Sequence, residues 1–129
     1  MSQPSRFQKL VAEAKQNIRE ITPKEAEAEL RSGTAVLIDV RSGSDWQAGH
    51  IQDARHLERG DLELEIEDEI PALDQRIITY CGGGSRSALV AESLQRMGYR
   101  DVLSLAGGFR AWQAAGLPTR GESEETKSR

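Results

Sequence analysis

Cys81 is the one cysteine in this chain of 129 residues, and the residues after it are suited to sulfur chemistry. That segment reads Gly82, Gly83, Gly84, Ser85, Arg86. Three glycines permit backbone conformations closed to other residues and let several N–H groups converge on one atom. These donors, the positive end of a following helix and Arg86 all favour the ionised thiol, which predicts a Cys81 pKa below the ordinary value. The segment therefore suits a nucleophilic sulfur that takes a group from an anionic donor, with Arg86 contacting the anion.

Three other interpretations of the Cys81 segment compete with this one. A buried cysteine beside a turn can be a small hydrophobic core residue. A Walker A loop would need Gly-Lys-Ser/Thr where Gly84 is followed by Ser85 and Arg86, and a dinucleotide-binding loop would need a last glycine that the segment lacks. The combination of a preceding strand, three glycines, an arginine and a following helix favours the reactive cysteine.

The elements that must position Cys81 are strands alternating with helices. Residues 35–40 are almost continuously apolar, which is typical of a strand buried on both faces of a parallel sheet. Further strands are predicted over 76–80 and 101–105, and helices over 85–97 and 109–115. This alternation predicts an α/β fold, in which ligands bind at the carboxyl ends of the strands, where Cys81 lies.

The first half of the chain carries two further helical patterns and one ambiguous segment. Apolar residues over 7–18 recur on one helical face. Thr22 is predicted to cap a second helix with Glu25 completing a capping box, and Gly33 to end it. The acid-rich segment 58–69 fits a strand by alternation and a helix by i, i+4 spacing, and its Glu and Leu content favours the helix with a solvated acidic face.

Composition excludes several function classes. Hydrophobic residues make up 37% of the chain and charged residues 29%, which excludes a disordered chain and a membrane-spanning one. Seventeen basic against 21 acidic residues leave a net charge of -4, so we expect neither nucleic acid nor membrane as a partner. A single cysteine excludes an internal disulfide, and with only two histidines beside it we expect no metal site. The polar start, with no apolar segment behind it, leads us to expect a cytoplasmic protein.

Three segments of the chain resemble, in order, the signatures of the rhodanese-type sulfurtransferases. Residues 81–86 resemble the six-residue active-site loop of that family. The other two matches are Leu37-Ile38-Asp39-Val40-Arg41 with Asp45-Trp46 and Gly49-His50-Ile51, and Leu105 to Trp112 closed by Gly116-Leu117-Pro118. The resemblance implies a single rhodanese domain over 20–118, with a parallel sheet of about five strands flanked by helices on both faces. Residues 1–19 would then be a helical extension and 119–129 a flexible polar tail.

The resemblance also implies a chemistry. Cys81 would take sulfane sulfur from thiosulfate or a similar small donor, and the resulting persulfide would need no other cofactor. Gly82, Gly83, Gly84 and Ser85 would hold the persulfide with their backbone amides, and Arg86 would contact the donor. The acceptor would be a small thiol, a protein or, in assay, cyanide.

Two alternatives remain within the family. A rhodanese-like module that only binds proteins would be expected to lose the cysteine or the loop glycines, and this chain keeps both. Relatives that act on phosphate or arsenate resemble a loop with five residues between cysteine and arginine, whereas four separate Cys81 from Arg86. His50, Asp39 and Arg41 are expected to support the structure through hydrogen bonds or an ion pair.

Overall fold

The computed structural model describes residues 3–121, and in that range helices alternate with strands as the sequence predicts. The elements are α1 (Arg6–Asn17), β1 (Arg19–Ile21), α2 (Pro23–Ser32), β2 (Ala35–Asp39), α3 (Gly43–Ala48), β3 (His50–Ile51), β4 (Arg55–His56), α4 (Leu62–Glu69), β5 (Arg76–Tyr80), α5 (Ser85–Arg96), β6 (Val102–Leu105), α6 (Gly108–Ala114) and β7 (Thr119–Arg120). The acid-rich segment forms helix α4, as expected. Thr22 caps α2 in a capping box with Glu25, and Gly33 ends that helix at a left-handed φ of 74°.

Five strands form one parallel sheet in the order β1-β6-β5-β2-β4, which confirms the predicted architecture. Strand β5, which leads into Cys81, is central, and β2 and β6 pair with it on either side. All their carboxyl ends therefore meet at the edge of the sheet where Cys81 lies.

Helices cover both faces of the sheet, and each face has its own apolar cluster. Ile66 of α4 and Leu94 of α5 pack on the face that contains Ile77. Ala26 of α2 and Trp112 of α6 pack on the other face with Ile78. Because alternate residues of β5 point to opposite faces, this one strand contributes to both clusters. No helix of residues 3–121 is both long and apolar enough to cross a membrane.

The expected polar tail begins later than the sequence indicates. Thr119–Arg120 form β7, which pairs antiparallel with His50–Ile51 of β3, and Gly121 is buried. A Cβ on Gly121 would lie 2.9 Å from Gly49 Cα, so the two backbones approach too closely there for a side chain. The rest of the expected tail, 122–129, lies outside the described residues.

Candidate active site

Cys81 lies between the end of the central strand β5 and the start of α5. Gly84 is the residue that caps α5, so a turn of three residues separates the thiol from the helix. The Cys81 side chain is almost fully buried, at 1% exposure. The thiol is therefore held at the carboxyl edge of the sheet, beside the amino terminus of a twelve-residue helix.

Backbone N–H groups surround the sulfur. Gly84 N–H donates to Cys81 Sγ at 3.2 Å, and Ser87 N–H donates to it at 3.4 Å. The thiol itself lies 3.4 Å from Ser87 Oγ and donates to it. Gly84, which was expected to help hold the sulfur, thus contacts it directly. Ser87, the residue after Arg86, contacts it too, although no role was expected for its side chain or its amide. Only its place one helical turn after the cap could have indicated it.

A chain of buried hydroxyls fixes the orientation of Ser87. Ser87 Oγ and Ser104 Oγ of β6 are 2.8 Å apart, and Thr79 Oγ1 of β5 donates to the Ser87 carbonyl at 2.9 Å. All three side chains are fully buried. Because a hydroxyl both donates and accepts, Ser87 can turn its O–H toward an ionised sulfur while accepting a hydrogen bond from Ser104.

These contacts decide the ionisation of the thiol. Burial is the largest single influence and by itself raises the pKa of Cys81. Hydrogen bonds from the Ser87 side chain, the Ser87 N–H and the N–H groups of Gly84 and Gly83 act the other way, and together they bring the pKa below its ordinary value. The thiolate therefore persists at a pH where an ordinary cysteine is protonated.

Replacing Ser87 by alanine is expected to shift the ionisation of Cys81 to higher pH. The variant loses a hydroxyl that stabilises the charged form but keeps the burial that opposes it, so the pKa rises. The rate of alkylation by iodoacetamide, followed against pH, reports the single thiol without interference. Ser93→Ala, further along the same helix, is the matched control and should leave the curve in place. An unmoved curve in Ser87→Ala would show that the hydroxyl does not act on the sulfur.

The carbonyl groups of the loop are turned away from the sulfur by α6. Phe109 N–H donates to the Cys81 carbonyl at 2.8 Å, and Arg110 N–H donates to the Gly82 carbonyl at 3.1 Å. These two hydrogen bonds require the backbone of α6 to lie directly against the backbone of the loop. A Cβ on Gly108 would prevent this, because it would lie 2.5 Å from the Cys81 carbonyl oxygen. Gly108 also has a left-handed φ of 61°, so both space and conformation require glycine there.

The three loop glycines are not equivalent, which corrects the expectation that all of them supply unusual backbone conformations. Gly84 has a left-handed φ of 97°, whereas the φ angles of Gly82 and Gly83 lie outside the left-handed region. The space beside these two glycines is occupied by the guanidinium of Arg110, a residue that the sequence analysis did not single out. Arg86 lies in the first turn of α5 with an exposed side chain.

The expected structural residues support the edge of the sheet around the loop. Asp39 and Arg41 form a buried ion pair, with 2.8 Å between Arg41 Nη2 and Asp39 Oδ2, and Arg41 also donates to the Gly49 carbonyl. The Arg41 guanidinium lies over the Phe109 ring, 4.4 Å from its centre, and so ties β2 to α6. His50 Nδ1 is 2.8 Å from the Trp46 carbonyl oxygen, a contact that holds its ring in place.

A surface depression of about 690 Å³ lies at the opposite end of the central strands. It is lined by Glu29, Arg76 and Asp101, and Arg76 forms ion pairs with both acids. Because Arg76 begins the strand that Tyr80 ends, this depression is remote from the thiol. The charges of Arg76, Glu29 and Asp101 in this depression pair with one another.

The chain is similar to a protein family and to several known proteins. The family model for the rhodanese-like domain matches residues 22–115. A thiosulfate sulfurtransferase GlpE from Ectopseudomonas mendocina is 38% identical over 96 residues, which span 74% of this chain and 85% of that protein. The polysulfide-sulfur transferase homodimer of Wolinella succinogenes has a TM-score of 0.79 at 27% identity, covering 91% of this chain and 88% of that one. A Rhodopseudomonas palustris protein of unknown function, described as a possible tyrosine phosphatase, has a TM-score of 0.78 at 32% identity and covers 93% and 99% of the two chains.

Proposed function

From the premise that this chain belongs to the rhodanese-like domain family, and is homologous to thiosulfate sulfurtransferases, we propose that it carries sulfane sulfur as a persulfide on Cys81. The donor is thiosulfate or a similar small anion, and the acceptor is a nucleophile. The observation that carries the proposal is the buried Cys81 sulfur, which accepts N–H donors from Gly84 and Ser87 and has a lowered pKa.

In the first step the Cys81 thiolate attacks the outer sulfur of thiosulfate. A bond forms between Sγ and that sulfur, and the bond between the two sulfurs of thiosulfate breaks. Sulfite leaves with the electron pair, so one thiolate and one thiosulfate dianion give one persulfide anion and one sulfite dianion. No general base is needed, because the thiol reacts in its ionised form.

In the second step a nucleophile takes the outer sulfur and regenerates the Cys81 thiolate. With cyanide the product is thiocyanate, and the bond that breaks is the one between the two sulfurs of the persulfide. The chain has no second cysteine, so an internal disulfide cannot release the sulfur. The acceptor is therefore an external small thiol or a partner protein, with cyanide as its substitute in assay.

The proposal assigns the loop residues separate roles. Cys81 is the nucleophile. The amides of the segment Gly82, Gly83, Gly84, Ser85 hold the outer sulfur of the persulfide, as oriented N–H groups hold an anion. Arg86, exposed in the first turn of α5, contacts the anionic donor as it arrives.

The reaction can be tested by mass measurement of the intact protein. After incubation with thiosulfate, the mass is expected to rise by one sulfur atom, and cyanide is expected to remove that mass as thiocyanate. Because the chain has one cysteine, fragmentation assigns the added sulfur to a single position. No added mass and no thiocyanate would contradict the proposal and favour a binding module.

One observation favours a second candidate function, phosphoryl chemistry. The Rhodopseudomonas palustris protein, 32% identical, is described as a possible tyrosine phosphatase. Four residues separate Cys81 from Arg86, one fewer than in the loop expected of relatives that act on phosphate or arsenate. The shorter loop suits a single sulfur atom better than a tetrahedral phosphoryl group. Hydrolysis of an aryl phosphate faster than sulfur transfer would favour the phosphatase.

The proposal also covers the extent of the catalytic unit and its location. We place that unit at residues 19–121, from β1 to the residue after β7, rather than the 20–118 expected from the sequence, with the residues of α1 as an extension that packs on α5 through Val11, Ala14 and Leu89. A compartment such as the cytoplasm would keep the one thiol reduced, so we place the reaction there.

A further inference from the structure

Arg110 lies over the outside of the Cys81 loop. It is in the first turn of α6, its backbone N–H donates to the Gly82 carbonyl at 3.1 Å, and its side chain is exposed. A Cβ built on Gly83 would lie 3.2 Å from Arg110 Nη1, and one built on Gly82 would lie 3.4 Å from Arg110 Nη2. The guanidinium therefore lies within contact distance of the places where side chains of Gly82 and Gly83 would begin, and most tightly at Gly83.

The backbone gives no reason for glycine at these two positions. Among the loop glycines, Gly84 has a left-handed φ, and Gly82 and Gly83 do not. A left-handed φ is therefore not the reason for glycine at the latter two positions. The missing side chain at Gly83 lets the Arg110 guanidinium lie close to the loop backbone. Gly82 and Gly83 thus lie beside an arginine that is 28 and 27 residues further along the chain.

The charge of Arg110 is available to a ligand. None of the ion pairs formed within residues 3–121 includes Arg110. A guanidinium offers several N–H donors in one plane, which matches the oxygens of a sulfonate group. Its contact with Gly82 and Gly83 puts this cation beside the loop that holds the sulfur, on the side where α6 contacts the loop.

We infer that Arg110 is a specificity-determining residue, which binds the oxyanion end of the sulfur donor while the outer sulfur faces Cys81. This inference rests on the proposed sulfur transfer and adds to it a second cation from α6, beside Arg86 of α5. It makes anionic donors such as thiosulfate preferred over uncharged ones. Arg110 does not take part in bond breaking, so its contribution is to binding of the donor.

Replacing Arg110 by glutamine is expected to raise the KM for thiosulfate about tenfold with kcat within about twofold, the size expected for one lost charge-assisted hydrogen bond. Arg110→Lys keeps the positive charge but lacks the planar guanidinium, so its KM for thiosulfate should lie between those of the wild type and Arg110→Gln. Arg96→Gln, at the far end of α5, removes an equal charge remote from the loop and should leave KM unchanged. The pH curve for alkylation of Cys81 should stay where it is in all three variants.

Moving the positive charge from position 110 to position 83 distinguishes a role of Arg110 in donor binding from a role in supporting the fold. In the Arg110→Ala background the space beside Gly83 is empty, and Gly83→Lys returns a cation to it from the loop itself. The double variant is expected to recover most of the lost thiosulfate affinity, although the contact from α6 is gone. A KM that stays low in Arg110→Gln, or a kcat that falls while KM holds, would overturn the inference.

Donor binding can also be measured without turnover. In Cys81→Ser protein no sulfur is transferred, and thiosulfate affinity follows from calorimetric titration. Adding Arg110→Gln is expected to weaken that affinity about tenfold. If the wild-type protein forms no persulfide, the proposed function fails while this titration still decides on Arg110. If the persulfide forms and the titration is unchanged by Arg110→Gln, only the role of Arg110 is wrong.

Discussion

Replacing Cys81 by serine is expected to abolish sulfur loading while leaving the fold and donor binding in place. Serine differs from cysteine by one atom, and its hydroxyl can accept the same hydrogen bonds from Gly84 and Ser87 that the sulfur accepts. A serine hydroxyl stays protonated where the thiol ionises, so it does not attack the donor. We expect transfer to cyanide to fall at least about 10⁴-fold, the scale seen when a nucleophile is removed.

The measurements are the intact mass after thiosulfate and the rate of thiocyanate formation. The thermal unfolding midpoint and the thiosulfate affinity of the variant serve as controls, and both should stay close to those of the wild type. Substantial thiocyanate formation by Cys81→Ser would mean that sulfur passes directly from donor to acceptor. The persulfide would then not be part of the reaction.

Replacing Gly108 by alanine is expected to lower sulfur loading about 100-fold and to destabilise the protein by about 2–4 kcal/mol. The added Cβ would lie 2.5 Å from the Cys81 carbonyl oxygen and 2.8 Å from the Gly82 carbonyl carbon. Both neighbours are backbone atoms, so the loop and α6 must move apart. The hydrogen bond from Phe109 N–H to the Cys81 carbonyl would then be lost or lengthened, and the N–H groups around the sulfur would lose their alignment.

Gly116→Ala is the matched control for this substitution. Gly116 has a comparable φ of 72°, but a Cβ there would meet nothing within 4 Å. It should therefore show only the conformational cost of about 1 kcal/mol, with loading unchanged. Denaturant unfolding and the initial rate of persulfide formation measure the two effects. Equal behaviour of the two variants would mean that the close contact between α6 and the loop has no part in loading.

The sequence allows much of this fold to be predicted, because the central strands are strongly apolar and the caps of α2 are local signals. Thr22 and Glu25 lie three residues apart, and their pattern is readable without the rest of the chain. Strand β1 was not predicted, since Arg19 and Glu20 are exposed and its pairing partner in β6 lies more than 80 residues away. The pairing of β3 with β7 is likewise fixed by contacts distant in sequence.

The candidate site was predictable in its centre and not at its rim. Cys81 and Gly84 follow from a local pattern of strand, glycines and helix. Sequence does not tell which glycine of a run takes a left-handed φ, so Gly82 and Gly83 were given a conformational role that they do not have. Arg110 reaches the loop only because α6 docks there, and the orientation of a helix on a sheet is decided by packing over the whole domain.

The contact between α6 and the loop has a consequence for how sulfur is received. In the folded protein the carbonyl groups of Cys81 and Gly82 already accept hydrogen bonds from Phe109 and Arg110. The backbone around the thiol therefore loses its conformational entropy during folding, before any donor binds. The donor sulfur therefore binds to a preorganised site, and little of its binding free energy is lost in ordering the loop backbone. Glycine-rich segments are usually flexible, but the neighbouring helix α6 restrains this one. Among the three loop glycines, Gly84 is the one that adopts a left-handed backbone conformation.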